Sequence, residues 1–353
     1  MALPEVMRAV VVRQHGGIDQ LELATAPVPE LPPDGALIRV KAAGINHLDL
    51  WVRRGVETHK FPFPMIPGSD FAGELVALGP LVKGWTLGQR VTVCPSFGCY
   101  QCDFCLAGEQ HICRYFGVYG ETRDGGDAEY VQVHGANLLP VPDHLSYEEA
   151  AAIPLTLLTV HHMLRYRARL ESWETILIHA AGSGVGTMAI QLAKLLGAKV
   201  IATASTDAKL AKARELGADY TINYSTADWV NEVRSLTGKA GVPVALDMVG
   251  APTFAGSIHS LAKGGRLVTC GATAGPLVDI DLRPIYFKSL SILGSTMGGV
   301  GEMRRIWTLV ERGQIKPTID RVLPITEIRQ AHAAVEERQQ FGKVILTMDW
   351  GGT

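Results

Sequence analysis

Up to about residue 150 the apolar positions fall in short extended runs: MRAVVVR (7–13), ALIRVKAAG (36–44), DFAGELVALG (70–79), QRVTVC (89–94) and AEYVQVH (128–134). Proline and glycine punctuate them, as in PVPELPPDG, and no strand–helix alternation appears. This part predicts an irregular, β-rich domain. One helix is expected after Asn46, a good capping residue, and another opens at the capping box Ser146–Glu149. From Pro154 the rhythm changes. Runs that are apolar throughout, TILIHA (175–180), AKVIATA (198–204), DYTIN (219–223), PVALDMV (243–249), GRLVTCG (265–271) and SLSILGS (289–295), alternate with helical stretches, two of which end at Gly197 and Gly217. Glycine at a helix end is the usual C-cap, and strands without polar alternation predict a parallel sheet covered on both faces. An amphipathic helix near 299–313 and a strand KVILTM (343–348), returning to the first domain, complete the pattern.

The first strand of the alternating series runs into AAGSGVG (180–186) and then a helix. Small residues let backbone amides approach a pyrophosphate, and a helix N-terminus favours its charge. Gly182, Ser183, Gly184, Val185 and Gly186 are therefore expected to bind a dinucleotide on a six-stranded Rossmann sheet. At the end of the second strand an NAD enzyme usually carries an acid for the ribose 2′-hydroxyl. Here Ala204 stands at that place, followed by Ser205, Thr206 and Lys209, which offer hydroxyls and a cation to a 2′-phosphate. Asp207 is expected to cap the next helix. NADPH is the expected cofactor; the bland alternative makes Lys209 a solvated helix lysine and lets the site take either nucleotide.

Six cysteines are present, four of them as Cys99-x2-Cys102-x2-Cys105-x7-Cys113. Four thiolates on one short loop suit a single structural zinc ion and leave it no open coordination position. Two disulfides, a redox pair or an iron–sulfur cluster are the competing readings. Cys94 and Cys270 read as buried small hydrophobes. With 353 residues, 47% hydrophobic and 19% charged, and a net charge of -2, the chain has the size for two domains and no global field toward nucleic acid or an anionic membrane. The N-terminus lacks a signal-peptide pattern and no apolar run approaches bilayer length, so a cytoplasmic location is expected.

These residues resemble a family. AAGINHLD (42–49), PGSDFAGELVALG (67–79), the cysteine lobe, AAGSGVG and FGKVIL (341–346) are together similar to the zinc-type alcohol dehydrogenases and quinone oxidoreductases of the medium-chain dehydrogenase/reductase superfamily, over essentially the full length. The resemblance implies an α/β protein with a GroES-like catalytic domain (1–156, zinc lobe about 94–113), a Rossmann NADP-binding domain (157–295) and a return to the catalytic domain (296–353). It departs from the alcohol dehydrogenases where their catalytic zinc is held. Asn46 stands at the first Cys, Ser69 at the His, Leu155 at the last Cys, and Leu48 at the hydroxyl that relays the alcohol proton. Amide, hydroxyl and alkyl groups do not replace two thiolates and an imidazole.

The quinone oxidoreductase branch is similar in carrying Asn at this position and no catalytic metal. The resemblance thus implies hydride transfer from NADPH to the β-carbon of an α,β-unsaturated carbonyl, where charge develops on an oxygen that needs only hydrogen-bond donors. An enoyl-CoA thioester of the acryloyl-CoA type is a candidate substrate. The alternatives are an NADPH:quinone oxidoreductase, an alcohol dehydrogenase with an unusual metal site (His47 and Asp70 offering too few ligands), and a non-catalytic NADPH-binding protein. The resemblance also implies catalytic-site roles for Asn46 and Thr159, the latter beside the nicotinamide carboxamide. It places Tyr224 beside the 2′-phosphate, Lys343 and His47 on phosphates, and Gly271 and Ser295 flanking the nicotinamide. Edge pairing of SLSILGS predicts a homodimer.

Overall fold

The computed structural model describes residues 3–351 except residue 58. The chain divides into two compact units: one formed by the chain up to Leu158 together with the chain from Gly298 onward, the other by Thr159–Met297.

In the first unit a seven-stranded sheet carries the core. Its order is Ile319–Pro324, Lys343–Thr347, Gly35–Gly44, Asp70–Leu78, Arg90–Val93 and Leu138–Pro140, with Tyr130–His134 also paired to Gly35–Gly44. The expected return strand therefore lies antiparallel to Gly35–Gly44, with Ile345 opposite Gly44. Ile38, Val40, Phe71, Leu75, Val91, Val93 and Val131 are fully buried on it. The helix His47–Arg54 is opened by the Asn46 capping box, in which Asp49 accepts from the Asn46 N–H. A helix over Ile328–Glu336, not anticipated above, buries Ile328, Ala331 and Val335 on one face at helical spacing.

The second unit is a six-stranded, all-parallel sheet in the order Tyr220–Asn223, Lys199–Ala204, Thr175–Ile178, Val242–Leu246, Leu261–Thr269, Ser291–Gly294. The first strand in sequence, Thr175–Ile178, lies centrally, and the chain leaves it first toward one edge and then toward the other. Its carboxyl end is thus the topological switch point, where α/β sheets bind their ligands. The apolar runs read above are these strands; Thr175–Ile178, Lys199–Ala204 and Val242–Leu246 are largely buried, whereas the edge strands Tyr220–Asn223 and Ser291–Gly294 are more exposed.

Candidate active site and metal lobe

The loop after Thr175–Ile178 turns through Ala180 at φ +50°. Ser183 then caps the helix Gly184–Leu195, its hydroxyl accepting from the Gly186 N–H at 2.9 Å. The Ala181 N–H donates to Thr203 O at 2.9 Å and ties the turn to the neighbouring strand. A methyl group on Gly186 would fall 2.2 Å from Ala180 O, so only glycine lets the helix start so close to the strand. The result is a narrow turn with a helix N-terminus at the switch point, the arrangement a pyrophosphate needs.

Beneath the turn lies a buried network that the sequence reading missed. His179 meets Thr203 Oγ1 at 2.9 Å and Ser257 Oγ at 3.0 Å, and Ser257 donates to Asp247 Oδ2 at 2.8 Å. The other Asp247 oxygen accepts from the Val249 and Gly250 N–H groups, which fixes the loop after the fourth strand in sequence. Burial pushes His179 down to about 4, so it is a neutral strut. All four side chains are buried.

At the second strand's end Ala204 is buried, and Thr206, not Asp207, caps the following helix by accepting from the Lys209 N–H. Asp207 is instead the first helical residue and accepts from Asn223 Nδ2 at 2.8 Å. Both are good capping types; Thr206 has the extended backbone a cap requires. Its hydroxyl is committed there, whereas Ser205 offers its side chain at a half-buried position and Tyr224 is 36% exposed. Gly271 O accepts from Thr269 Oγ1, and the Ser295 hydroxyl is buried with no hydrogen-bond partner. Thr159 is buried and donates to Met297 Sδ at 3.3 Å, a neighbour the sequence did not indicate.

In the other unit a polar corner forms where the helix His47–Arg54, the strand Asp70–Leu78 and the strand Lys343–Thr347 meet. Lys343 Nζ lies 2.6 Å from Asn46 Oδ1 and 2.9 Å from Asp70 Oδ2. Asn46 Nδ2 donates to Asp70 Oδ2 at 3.0 Å and to Gly44 O at 3.3 Å, and Leu155 N–H donates to the second Asp70 oxygen. Asp49 accepts from the Asn46 and Gly68 N–H groups and from the Ser69 hydroxyl. Lys343 is 4% exposed and its ammonium is paired with the wholly buried Asp70 inside this unit, which differs from the expectation of a side chain reaching outward to a pyrophosphate. His47 is partly buried against Trp51, and burial with nearby Arg338 and Arg54 pushes it down to about 4. A neutral imidazole can donate to a phosphate but brings no charge to it.

The four lobe cysteines are brought together between the paired strands Ser96–Phe97 and Gly117–Val118. All four sulfurs lie within 4.8 Å of one another, with Cys99–Cys105 at 3.9 Å, Cys102–Cys113 at 3.7 Å and Cys99–Cys113 at 3.6 Å. Ligands of a tetrahedral zinc with bonds of about 2.3 Å stand roughly 3.8 Å apart, so the set fits that ion without rearrangement. None is in a disulfide. Backbone N–H groups of Gln101 and Cys102 push Cys99 down to about 6, toward the thiolate a metal takes. This is the only cluster of three or more such ligands among the described residues.

Comparison with known proteins agrees with this geometry. The family "Alcohol dehydrogenase GroES-like domain" matches residues 32–143, and "Zinc-binding dehydrogenase" matches residues 184–312. A zinc-type alcohol dehydrogenase-like protein of Schizosaccharomyces pombe is 31% identical over 97% of this chain and 99% of its own. A quinone oxidoreductase of Pseudomonas aeruginosa is 32% identical over 94% and 97%. Among solved structures, an NAD-dependent alcohol dehydrogenase is 46% identical, with a TM-score of 0.93 and coverage of 97% and 100%. A 2-octenoyl-CoA carboxylase reductase in complex with NADP and 2-octenoyl-CoA is 29% identical, with a TM-score of 0.89 and coverage of 98% and 88%. The chain belongs to the medium-chain dehydrogenase/reductase superfamily and is an NAD(P)-dependent oxidoreductase. No helix among the described residues is long and apolar enough to cross a membrane.

Proposed function

We propose that this protein reduces the conjugated double bond of an α,β-unsaturated carbonyl compound, an enoyl-CoA thioester being the substrate class, without a catalytic metal. The observation that carries the reading is the Asn46–Asp70–Lys343 corner. Where zinc-type alcohol dehydrogenases need thiolates and an imidazole, this corner has an amide, a carboxylate and the ammonium ion that neutralises it. An alcohol gives up hydride only after losing its proton, and a Lewis acid normally lowers the barrier to that loss. A conjugated carbonyl arrives already electron-poor and needs no such ion. The relative solved with 2-octenoyl-CoA supports an acyl-CoA substrate, and the Pseudomonas relative supports a quinone as the second reading.

NADPH supplies the hydride when bound. Gly182–Gly186 hold the pyrophosphate and Ser205, Lys209 and Tyr224 surround the 2′-phosphate, with no acid at Ala204 to repel it. One structural zinc is held by Cys99, Cys102, Cys105 and Cys113. The edge strand Ser291–Gly294, with exposed Leu282, Tyr286 and Phe287 in the preceding segment, pairs with a second copy.

The test is an NADPH-oxidation panel run on metal-analysed protein, with crotonyl- and methylcrotonyl-type CoA thioesters, simple enones, quinones and alcohols with NADP+, each repeated with the non-phosphorylated cofactor. Preference for an enoyl thioester at about one zinc per chain supports the proposal. Alcohol oxidation at two zincs per chain overturns it.

A further inference from the structure

The network beneath the glycine turn has a direction. Asp247 is wholly buried, and its carboxylate is held by neutral donors: the Val249 and Gly250 N–H groups, Thr253 Oγ1 at 2.9 Å and Ser257 Oγ at 2.8 Å. A carboxylate so supplied can only accept. Ser257 has one proton and two acceptors in reach, Asp247 Oδ2 at 2.8 Å and Thr253 O at 3.0 Å. The charge-assisted bond is the stronger, so the proton points at Asp247. Ser257 Oγ is then left to accept from His179 Nε2, 3.0 Å away, which must carry a proton. A neutral imidazole has a single N–H, so Nδ1 accepts from the Thr203 hydroxyl at 2.9 Å. Every proton in the chain Thr203–His179–Ser257–Asp247 therefore runs one way.

Each end of this chain fixes backbone at the carboxyl side of the sheet. His179 directly follows the strand Thr175–Ile178 and precedes the turn, and its own N–H donates to Leu246 O at 3.2 Å. Thr203 holds the imidazole through its hydroxyl and the turn through its carbonyl, which accepts from Ala181 N–H. Asp247 shapes the loop 247–250, and that loop carries the segment after Leu261–Thr269. Thr273 N–H donates to Met248 O at 3.1 Å, Ala274 N–H to Val249 O at 2.8 Å and Ala251 N–H to Gly275 O at 3.0 Å. One continuous run of bonds thus joins the glycine turn to 273–275, across the carboxyl ends of four neighbouring strands. Strand ends at a switch point are where a dinucleotide lies. The Trp229 ring packs edge-on against the imidazole, with centroids 4.8 Å apart.

We infer that His179 is a positioning residue for the dinucleotide: held as the Nε2–H tautomer, it locks the glycine turn in register with the loops 247–251 and 273–275, so that the cofactor meets a preformed surface. The inference rests on the dinucleotide reading of the turn and not on the choice of substrate. His179 is buried and touches neither cofactor nor substrate; it acts through Thr203, Ala181 and the 247–251 loop. Preorganisation lowers the ordering cost of binding, so the effect falls on cofactor affinity. A phenylalanine at 179 fills similar space but leaves the Thr203 and Ser257 hydroxyls without their partner. A glutamine restores a donor toward Ser257.

The experiment titrates NADPH, NADH and adenosine 2′-monophosphate, which lacks the pyrophosphate, into the full-length wild type, H179F, H179Q, S257A and the H179F/S257A double variant. H179F should raise Kd roughly tenfold, the scale of a buried group left unpaired, by the same factor for both cofactors, and leave adenosine 2′-monophosphate unaffected. H179Q should recover most of the loss. S257A should also weaken cofactor binding, and the double variant should be no weaker than H179F, because both substitutions break one chain. Equal losses for the cofactors and the monophosphate, additive losses in the double variant, or wild-type cofactor affinity in H179F overturn the inference. If H179F does not fold, S257A carries the affinity test and nitrogen NMR of histidine-labelled wild type decides the tautomer. At pH 7 the signal that disappears in H179Q should be protonated on Nε2 alone, and an Nδ1–H tautomer overturns the inference. Wild-type protein that binds neither cofactor overturns the dinucleotide reading and the positioning role with it, whereas the NMR signal still reports the state of His179.

Discussion

Replacing Lys343 by methionine removes an ammonium ion and keeps the length and apolar stem of the side chain. In the native corner that ammonium lies 2.9 Å from Asp70, with exposures of 4% and 0%. Asp70 would keep two donors, Leu155 N–H and Asn46 Nδ2, but no cation. Breaking one side of a buried pair typically costs about 3–5 kcal/mol, because the remaining charge stays buried. The two surviving hydrogen bonds place the expected loss near the lower end. At about 2–4 °C per kcal/mol for a unit of this size, K343M should lower the melting temperature of the unit that carries it by roughly 6–12 °C. The assay is thermal unfolding by circular dichroism at neutral pH for wild type, K343M, D70N and the double variant. The double variant should recover most of the loss, since it removes the stranded charge as well. A K343M loss under about 1 kcal/mol, or no recovery in the double variant, would refute the buried-pair account and return Lys343 to the phosphate-contacting role that the family resemblance implied.

Three further outcomes follow from the geometry. A204D places a carboxylate where a 2′-phosphate would lie; it should raise KM for NADPH by roughly tenfold or more, about 1.4 kcal/mol, and improve use of NADH, and an unchanged preference in initial-rate assays would refute the placement. C113S should bring zinc from about one per chain to none by atomic absorption and lower the unfolding midpoint, because a structural site contributes its binding energy to folding; retention of zinc would show that the lobe is not the site. G186A forces a methyl group to within 2.2 Å of Ala180 O, and should cost about 1–3 kcal/mol on chemical denaturation together with dinucleotide affinity measured by fluorescence titration; full affinity would show that the turn yields.

The parts of this protein that were legible in the sequence are those whose cause is local. Apolar runs betray the doubly covered strands, cysteine spacing betrays the lobe, and AAGSGVG between a strand and a helix betrays the turn. The parts that were not legible are set by partners far away in the chain. Lys343 and Asp70 are 273 residues apart, and a lysine in FGKVIL reads as a basic reach toward phosphate until Asp70 is found beside it. Asp127, in GGDAEY, looks like a solvated turn residue; its burial follows from the 66–68 segment lying across it. Thr206 and Asp207 are both capping types in consecutive positions, so only the backbone angle separates them. His179 carries no signal, because an apolar strand ending in histidine does not reveal the Ser257 and Asp247 that meet it.

The direction of the Asn46 amide limits what that residue can do. Its two N–H groups are taken by Gly44 O and Asp70 Oδ2, and its oxygen accepts from Lys343. What remains is one lone pair on Oδ1, so Asn46 can accept from a bound partner, such as an amide N–H or a ribose hydroxyl, but cannot stabilise a developing oxyanion without breaking a native bond. The same arrangement resists a divalent cation. An ion placed about 4 Å from Lys343 Nζ would meet a repulsion of about 8 kcal/mol at an effective dielectric of ~20, twice the value for unit charges, and the Asn46 oxygen that would bind it already faces the ammonium. Asn46 and Lys343 therefore act together: the lysine neutralises the buried acid and turns the amide so that an acceptor is presented where a metal-dependent relative would present a thiolate.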